Sequence, residues 1–355
     1  MTHSNFTRRS ALISGAAMLG LVTLSATGAS ADGELRLYNW SNYFPPELLE
    51  KFEAETGTKV SIDNYASEED LLAKLQAGGG GYDVIFPGTT TLGVMVKQDL
   101  LEPIEVNGME NFQNVLPAHQ TIAGDEDRKF SAPYMWGTTG FTYLPSKVPD
   151  GKMEESWAAI FNPAEELKGN IAMLNEMSDV WNAAAYNLGI SKCTEDSDEA
   201  QKILDLLMAQ KPSVKLYSND GTIDRMVAEE VAVHMQWNGA AHRVKAKQPD
   251  AVYVYPKEGV TFWTDAMAVP KGAPNLDNAK TFINWMMMPE NAAIASNYTG
   301  YSNAIKGSGE FLKDDLKNDP AVNTPEEYGE RLRPYQACSD KSRDLRERVW
   351  TKLKS

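Results

Sequence analysis

Four short stretches of this chain join aromatic rings to small polar or acidic groups: Trp40-Ser41-Asn42-Tyr43, Gly88-Thr89, Trp237-Asn238 and Trp263-Thr264-Asp265. Asp265 is the most telling of these residues, because the run around it, 262–270, is otherwise largely apolar. A carboxylate in such surroundings must be paired or hydrogen-bonded, or it takes up a proton. A bound ammonium group would satisfy it. Tryptophan faces also attract cations, with about 0.5–2 kcal/mol each depending on how dry the site is. The plainer alternatives for Asp265 are an internal salt bridge or a cap on a neighbouring turn. Glu176 and Asp179 offer a second anion, or else cap the helix expected to begin near Ser178. Groups suited to covalent or metal chemistry are scarce. The sequence holds four histidines and two cysteines, none at metal-ligand spacing, and no P-loop, Gly-x-Gly-x-x-Gly or Gly-x-Ser-x-Gly motif. No cofactor is expected. An exported hydrolase working with carboxylates alone would escape these tests and stays as an alternative.

These groups need strand ends to hold them. Residues 35–38 read as a strand that breaks at 39–43 and restarts as a helix through Pro45-Pro46-Glu47, where proline fits the first turn. In open α/β sheets ligands bind outside the carboxyl ends of the strands. Trp40 therefore either faces a ligand or plugs the strand–helix junction. A helix closed by Gly57 follows, then a strand at 59–64, a Ser67-capped helix with Glu68, Glu69 and Asp70 in its first turn, and a strand at 82–87. Residues 78–81 are a glycine-rich connection. Strand and helix alternate, which predicts an α/β fold with a parallel sheet.

A second alternating unit follows: strands at 170–175, 214–218 and 231–237, with helices at 178–188, 200–208 and 222–228. Extended segments at 130–143 and 262–270 read as crossings, so the second unit is inserted in the first. The expected division is 32–137 and 262–310 for one lobe and 138–261 for the other. A C-terminal helical region at 311–355 carries charge runs that read as a solvated face. Two lobes on paired crossings near 137–140 and 261–265 can hinge and close.

Met1–Ala31 reads as an export signal: Arg8-Arg9, an apolar run of small residues, and Ala29-Ser30-Ala31, with cleavage expected before Asp32. The Thr7-Arg8-Arg9-Ser10 pattern suggests a twin-arginine signal, an ordinary secretory signal being the alternative. Either leads out of the cytoplasm. Of 355 residues, 42% are hydrophobic and 23% charged, which is the composition of a soluble globular chain. Losing the leader removes two arginines and no acid, taking the formal charge from −15 to −17. Nucleic acid and anionic lipid are thus poor partners, and a cationic ligand is drawn in. Cys193 and Cys338 can pair in an oxidising compartment, tying the C-terminal region to the second lobe.

The strings YNWSNY, YDVIFP, APYMWGTTG, PKEG and WTKLKS together resemble the periplasmic putrescine/spermidine-binding proteins of ABC transporters, collinearly over the whole mature chain. The resemblance implies a type II periplasmic binding-protein fold, an amine held between two lobes, and an inner-membrane ABC permease as partner to a monomer. It assigns ligand contacts to Trp40, Ser41, Asn42, Tyr43, Gly88, Asp179 (where the family often has glutamate), Trp237, Trp263, Asp265 and Tyr301. Three positions depart from the pattern. Asn42 replaces the acid of Trp-Ser-Asp-Tyr, Ala240 stands where an acid is common three residues after the tryptophan matched by Trp237, and Gly88 replaces a common serine. Each amine of a diamine needs a partner, since an unpaired buried charge costs several kcal/mol. Two missing carboxylates leave three outcomes open. Acids from elsewhere, such as Glu176, replace them; a quaternary ammonium binds; or a short ω-amino acid binds, with Arg225 or Arg243 for its carboxylate, unless those arginines are merely solvated.

Overall fold

The computed structural model describes residues 33–355 other than 79, 335 and 337. The expected leader, its cleavage point before Asp32 and one residue of the glycine-rich connection lie outside them.

Strand β1 (Glu34–Trp40) sends Leu35 and Leu37 to one face of its sheet and Tyr38 to the other, and all three are buried. A strand apolar on both faces needs cover on both sides. The helices Pro46–Thr56, Leu276–Met286 and Pro289–Thr299 supply it on one face through Leu48, Phe52, Phe282 and Trp285. On the other face Glu68–Gln76 and Thr89–Lys97 supply Leu71, Leu75, Leu92 and Met95. Proline opens the first of these helices and Gly57, at φ 74°, closes it. Ser67 caps the fourth by accepting from the Asp70 amide.

The remaining strands are β2 (Lys59–Tyr65), β3 (Val84–Ile85), β4 (Ser131–Tyr143), β5 (Ile171–Met173), β6 (Val214–Tyr217), β7 (Val233–Trp237), β8 (Val252–Val254), β9 (Val260–Ala268), β10 (Ser302–Asn303) and β11 (Leu332–Arg333). They form one sheet whose main path is β2-β1-β3-β9-β4-β7-β5-β6. Parallel trios, β2-β1-β3 and β7-β5-β6, sit at either end, and the long antiparallel pair β4–β9 joins them. β4 meets β9 from Ser131↔Ala268 to Thr139↔Thr261, with an irregularity between Pro133 and Trp136. Its later residues, Thr139–Tyr143, pair with β7. The same two strands thus belong to both lobes of a two-lobed α/β fold.

The second lobe repeats the plan. Met177–Leu188, Ser197–Gln210 and Asp340–Lys354 pack around Phe141, Trp157, Trp181 and Ile203 on one face. Thr222–Val227 and Asn238–Lys245 cover the other through Met226 and Val244.

Three sequence expectations change. The strand expected over 82–87 is regular only at Val84–Ile85; on either side the Asp83 amide still donates to the Arg36 carbonyl and the Pro87 carbonyl accepts from the Ala266 amide, while the Asp83 carboxylate accepts from the Arg36 and Asn275 amides. The helix Asn238–Lys245 was not foreseen; its Gly239 and short apolar stretch hide the periodicity. The region 311–355 is not uniformly helical. Asp314–Asn318 is one short helix, and only Asp340–Lys354 is long. That last helix is not simply a solvated face, since it buries Ser342, Arg346, Val349 and Leu353. A Cys193–Cys338 disulfide ties the segment before it to the second lobe, as expected.

Candidate functional site

All ten residues singled out in the sequence line one cavity of about 230 Å³ between the lobes. Trp40 ends β1 and Ser41, Asn42 and Tyr43 follow it, and Gly88 leads into the helix after β3. Trp237 ends β7, Trp263 and Asp265 lie in β9, and Asp179 sits in the first turn of Met177–Leu188. Tyr301 follows the helix Pro289–Thr299. The crossing strands and the strand ends of both lobes converge there, which is where an open α/β sheet places ligands.

The rings form a frame rather than a pile. Trp40 and Trp237, from opposite lobes, meet at 6.2 Å between ring centroids and 64° between planes. Trp263 meets Tyr301 at 5.1 Å, and Tyr301 meets Tyr43 at 5.8 Å. Trp40 donates its indole N–H to the Phe86 carbonyl at 3.2 Å, so it both braces the strand–helix junction and lines the cavity. Gly239 permits this frame: a Cβ there would meet the Tyr301 ring at 2.4 Å. The Trp263 indole N–H is buried without a hydrogen-bond partner among the described residues.

Four carboxyl groups border the space, and burial is the main cause that raises each of them. Asp265 accepts from the Tyr43 hydroxyl at 2.5 Å. Burial still lifts it to about 7, against the Tyr43 bond, and the charge of Asp179 adds to the rise. Asp179, 7% exposed, accepts from the Trp237 indole and the Thr139 hydroxyl, each at 2.9 Å. Burial lifts it to about 6 in spite of those two bonds. Asp179 is therefore held toward the cavity rather than spent on its helix end. Glu176 occupies the cap position of that helix but makes no side-chain capping bond. Burial, and then Glu69, Glu68 and Asp179, drive its carboxyl well above the usual range.

Glu68 is the fourth, and sequence reasoning read it only as a first-turn helix acid. Its Oε1 accepts from the Gly88 amide at 2.8 Å, while Oε2 is buried with no hydrogen-bond partner among the described residues. Burial, reinforced by Asp265, lifts it to about 8. Tyr65 was also missed; its hydroxyl donates to the Phe86 carbonyl at 2.6 Å and its ring packs 4.6 Å from Trp40. A Ser-Glu-Glu-Asp cap pattern gives no hint that one of its acids turns toward a cleft.

The departures acquire physical reasons. Asn42 sits at φ 58°, in the left-handed region that asparagine tolerates better than most residues. Ala240 lines the cavity from the unforeseen helix and contributes no charge. Arg225 does not line the cavity; it is hydrogen-bonded to His234 at 2.9 Å and donates to the Asp220 carbonyl at 3.1 Å. Arg243 does line it, with its guanidinium 5.0 Å from the Tyr298 ring centroid.

The lobes touch across the cleft: Asn219 of the second donates its side-chain amide to the Ala66 carbonyl of the first at 2.8 Å. An aromatic, acid-lined cleft carried on two shared strands defines a two-lobed ligand-binding protein. The chain belongs to the bacterial extracellular solute-binding protein family, whose model matches residues 47–324. Among curated relatives it is 30% identical to the putrescine-binding periplasmic protein of Pseudomonas aeruginosa, over 94% of this chain and 95% of that one. It is 32% identical to the spermidine/putrescine-binding periplasmic protein of Escherichia coli, over 88% of this chain and 89% of the relative. Among solved structures, the spermidine/putrescine ABC transporter substrate-binding protein of Streptococcus pneumoniae superposes with a TM-score of 0.73 at 30% identity, covering 91% of this chain and 98% of its own.

Proposed function

We propose that this protein is an exported, periplasmic binding protein that captures a small cationic amine of the putrescine class and, once closed, delivers it to an inner-membrane ABC permease. The observation that carries this reading is the set of four buried or partly buried carboxyl groups around one small aromatic cleft. Acids this hard to ionise call for a cation, and two ammonium groups would give all four a partner. Glu68 and Glu176 thereby stand in for the two carboxylates missing at Asn42 and Ala240. The names of the relatives point to the same ligand class. Trp40, Trp237 and Trp263 flank the methylene chain and the charges, Tyr43 orients Asp265, and Tyr301, Ser41, Asn42 and Gly88 complete the wall.

In this reading the protein works as a monomer, is cleaved before Asp32, and hinges where β4 and β9 pass between lobes, near 137–140 and 261–265. Binding without turnover is expected, as the names of the relatives suggest. The test is titration calorimetry of the mature, ligand-stripped protein against putrescine, spermidine, a quaternary ammonium and γ-aminobutyrate. Putrescine or spermidine should bind, and Asp265→Asn should weaken binding by at least about thirtyfold, as truncating one partner of a buried charge pair does. Silence toward all amines would overturn the ligand class.

A second reading has one observation in its favour. Arg243 lines the same cavity, so a carboxylate-bearing amine would find a cation at its other end. Tighter binding of γ-aminobutyrate than of putrescine would select it.

A further inference from the structure

Gly88 has no torsional reason to be glycine: its φ of −70° and ψ of 163° are open to any residue. Its reason is spatial. A Cβ on Gly88 would lie 3.1 Å from Glu68 Oε1 and 3.3 Å from Asp265 Oδ1, so the two carboxylates share the space above one Cα. Both approach from the first lobe's half of the sheet, where Gly88 and Asp265 also form a backbone bridge. A side chain at 88 would require the Glu68 and Asp265 carboxylates to give way by a few tenths of an ångström.

The two carboxylates are not equivalently held. Asp265 Oδ2 takes the Tyr43 hydroxyl, and Glu68 Oε1 takes the Gly88 amide. Glu68 Oε2 is shut away from solvent and has no partner of good hydrogen-bond geometry among the described residues, the nearby Thr91 hydroxyl favouring its ionised form only in part, although Glu68 lines the ligand cavity. Two acids this close, one with an unmet buried oxygen, call for a cation that brings N–H donors and not charge alone. A primary ammonium brings three. A trimethylammonium brings none, and its methyl shell keeps the charge away from both carboxylates.

We propose that Glu68 is a specificity-determining residue of the cleft: with Asp265 it clamps one primary ammonium group of the ligand, and Gly88 is glycine to make room for it. This rests on the reading that the cleft binds a small amine. The pair makes the subsite select for N–H donors, which the ring frame alone would not do, because aromatic faces accept quaternary and primary ammonium alike.

The test compares putrescine with the bis(trimethylammonium) compound of the same four-carbon spacer, by calorimetry, on the unaltered protein, Glu68→Gln, Gly88→Ala and the double variant. The unaltered protein should prefer putrescine. Glu68→Gln should weaken putrescine by at least about tenfold and leave the quaternary compound within about threefold, collapsing the preference. Gly88→Ala should weaken putrescine in the same direction by crowding that carboxylate, and the double variant should lose little more than Glu68→Gln alone, the signature of one shared interaction. Thermal melts of the four proteins identify any variant that is unfolded, and Gly88→Ala then reports independently of Glu68→Gln. Putrescine binding to Glu68→Gln within twofold of the unaltered protein would overturn the role of Glu68 alone, while failure of the unaltered protein to bind any amine would overturn both this and the reading beneath it.

Discussion

Asp265, Asp179 and Glu68 are acids whose environment pushes them toward neutrality, to about 7, 6 and 8, with burial as the largest cause in each. Because the folded-state values lie above the unfolded ones, the native state holds more protons than the unfolded chain between about pH 4 and pH 8. Their contribution to stability is therefore fully present below the unfolded values near 4. It is lost as pH rises through 6 to 8. The ligand-free protein should melt at a higher temperature at pH 5.5 than at pH 8, and saturating putrescine should shrink that difference by giving the ionised forms a partner. Binding should release protons, read as a dependence of the calorimetric enthalpy on the ionisation enthalpy of the buffer. Equal proton uptake and release at pH 7 would show that the three acids are already ionised in the free protein. The groups facing them fit this picture. Tyr43 donates to Asp265, Trp237 and Thr139 donate to Asp179, and the Gly88 amide donates to Glu68, yet none of these donors carries a charge.

At the scale of elements, the helix Asp340–Lys354 and the segment before it show what the last part of the chain does. The helix packs Val349 and Leu353 into the second lobe's core, and the Cys193–Cys338 bond fastens its approach. Gln336 and Cys338 line the ligand cavity, so this fastening also shapes one wall. The bond closes a loop with a sequence separation of 145 residues. Disulfides across loops of that order stabilise by about 2–5 kcal/mol, chiefly by restricting the unfolded chain. Reduction, or a Cys193→Ser/Cys338→Ser double substitution, should lower the melting temperature by several degrees. It should weaken putrescine binding less than Asp265→Asn does, because the acids remain. An unchanged melting temperature on reduction would mean that the bond adds nothing to stability.

For the whole molecule, the pair β4–β9 is shared by both lobes, the chain passes between them once more before the helix Asp340–Lys354 in the second lobe's core, and a closed form depends on contacts made across the cleft. The Asn219–Ala66 bond and the Trp40–Trp237 edge contact are two of these. Asn219 lines the cavity but is not itself one of its acids, so Asn219→Ala should loosen the closed form without removing a ligand charge. A hydrogen bond of this kind contributes about 0.5–1.5 kcal/mol, which predicts a putrescine dissociation rate faster by roughly two- to tenfold with little change in association rate. Stopped-flow tryptophan fluorescence would read both. A slower association instead would place the effect on ligand entry rather than on closure.

What was legible in the sequence depended on how local its cause was. The strand–helix corners, the proline and glycine boundaries of Pro46–Thr56, and the Ser67 cap follow from neighbours within a few residues, and they stand where the pattern puts them. The fold and the ten cavity-lining positions were readable because a collinear resemblance carried long-range information that periodicity lacks. The helix Asn238–Lys245 escaped because Gly239 breaks its pattern, and that glycine answers to the Tyr301 ring some sixty residues away. Glu68 escaped for the same reason in another form. As a first-turn acid it satisfies every local rule, and only the packing of β3 against β9 brings Gly88 and Asp265 to its side chain. The sequence by itself determined the alternation of elements and the kinds of group available to meet a cation. The tertiary structure alone decided which acids share one dry space, because electrostatic demand depends on distance and burial, and neither is written along the chain.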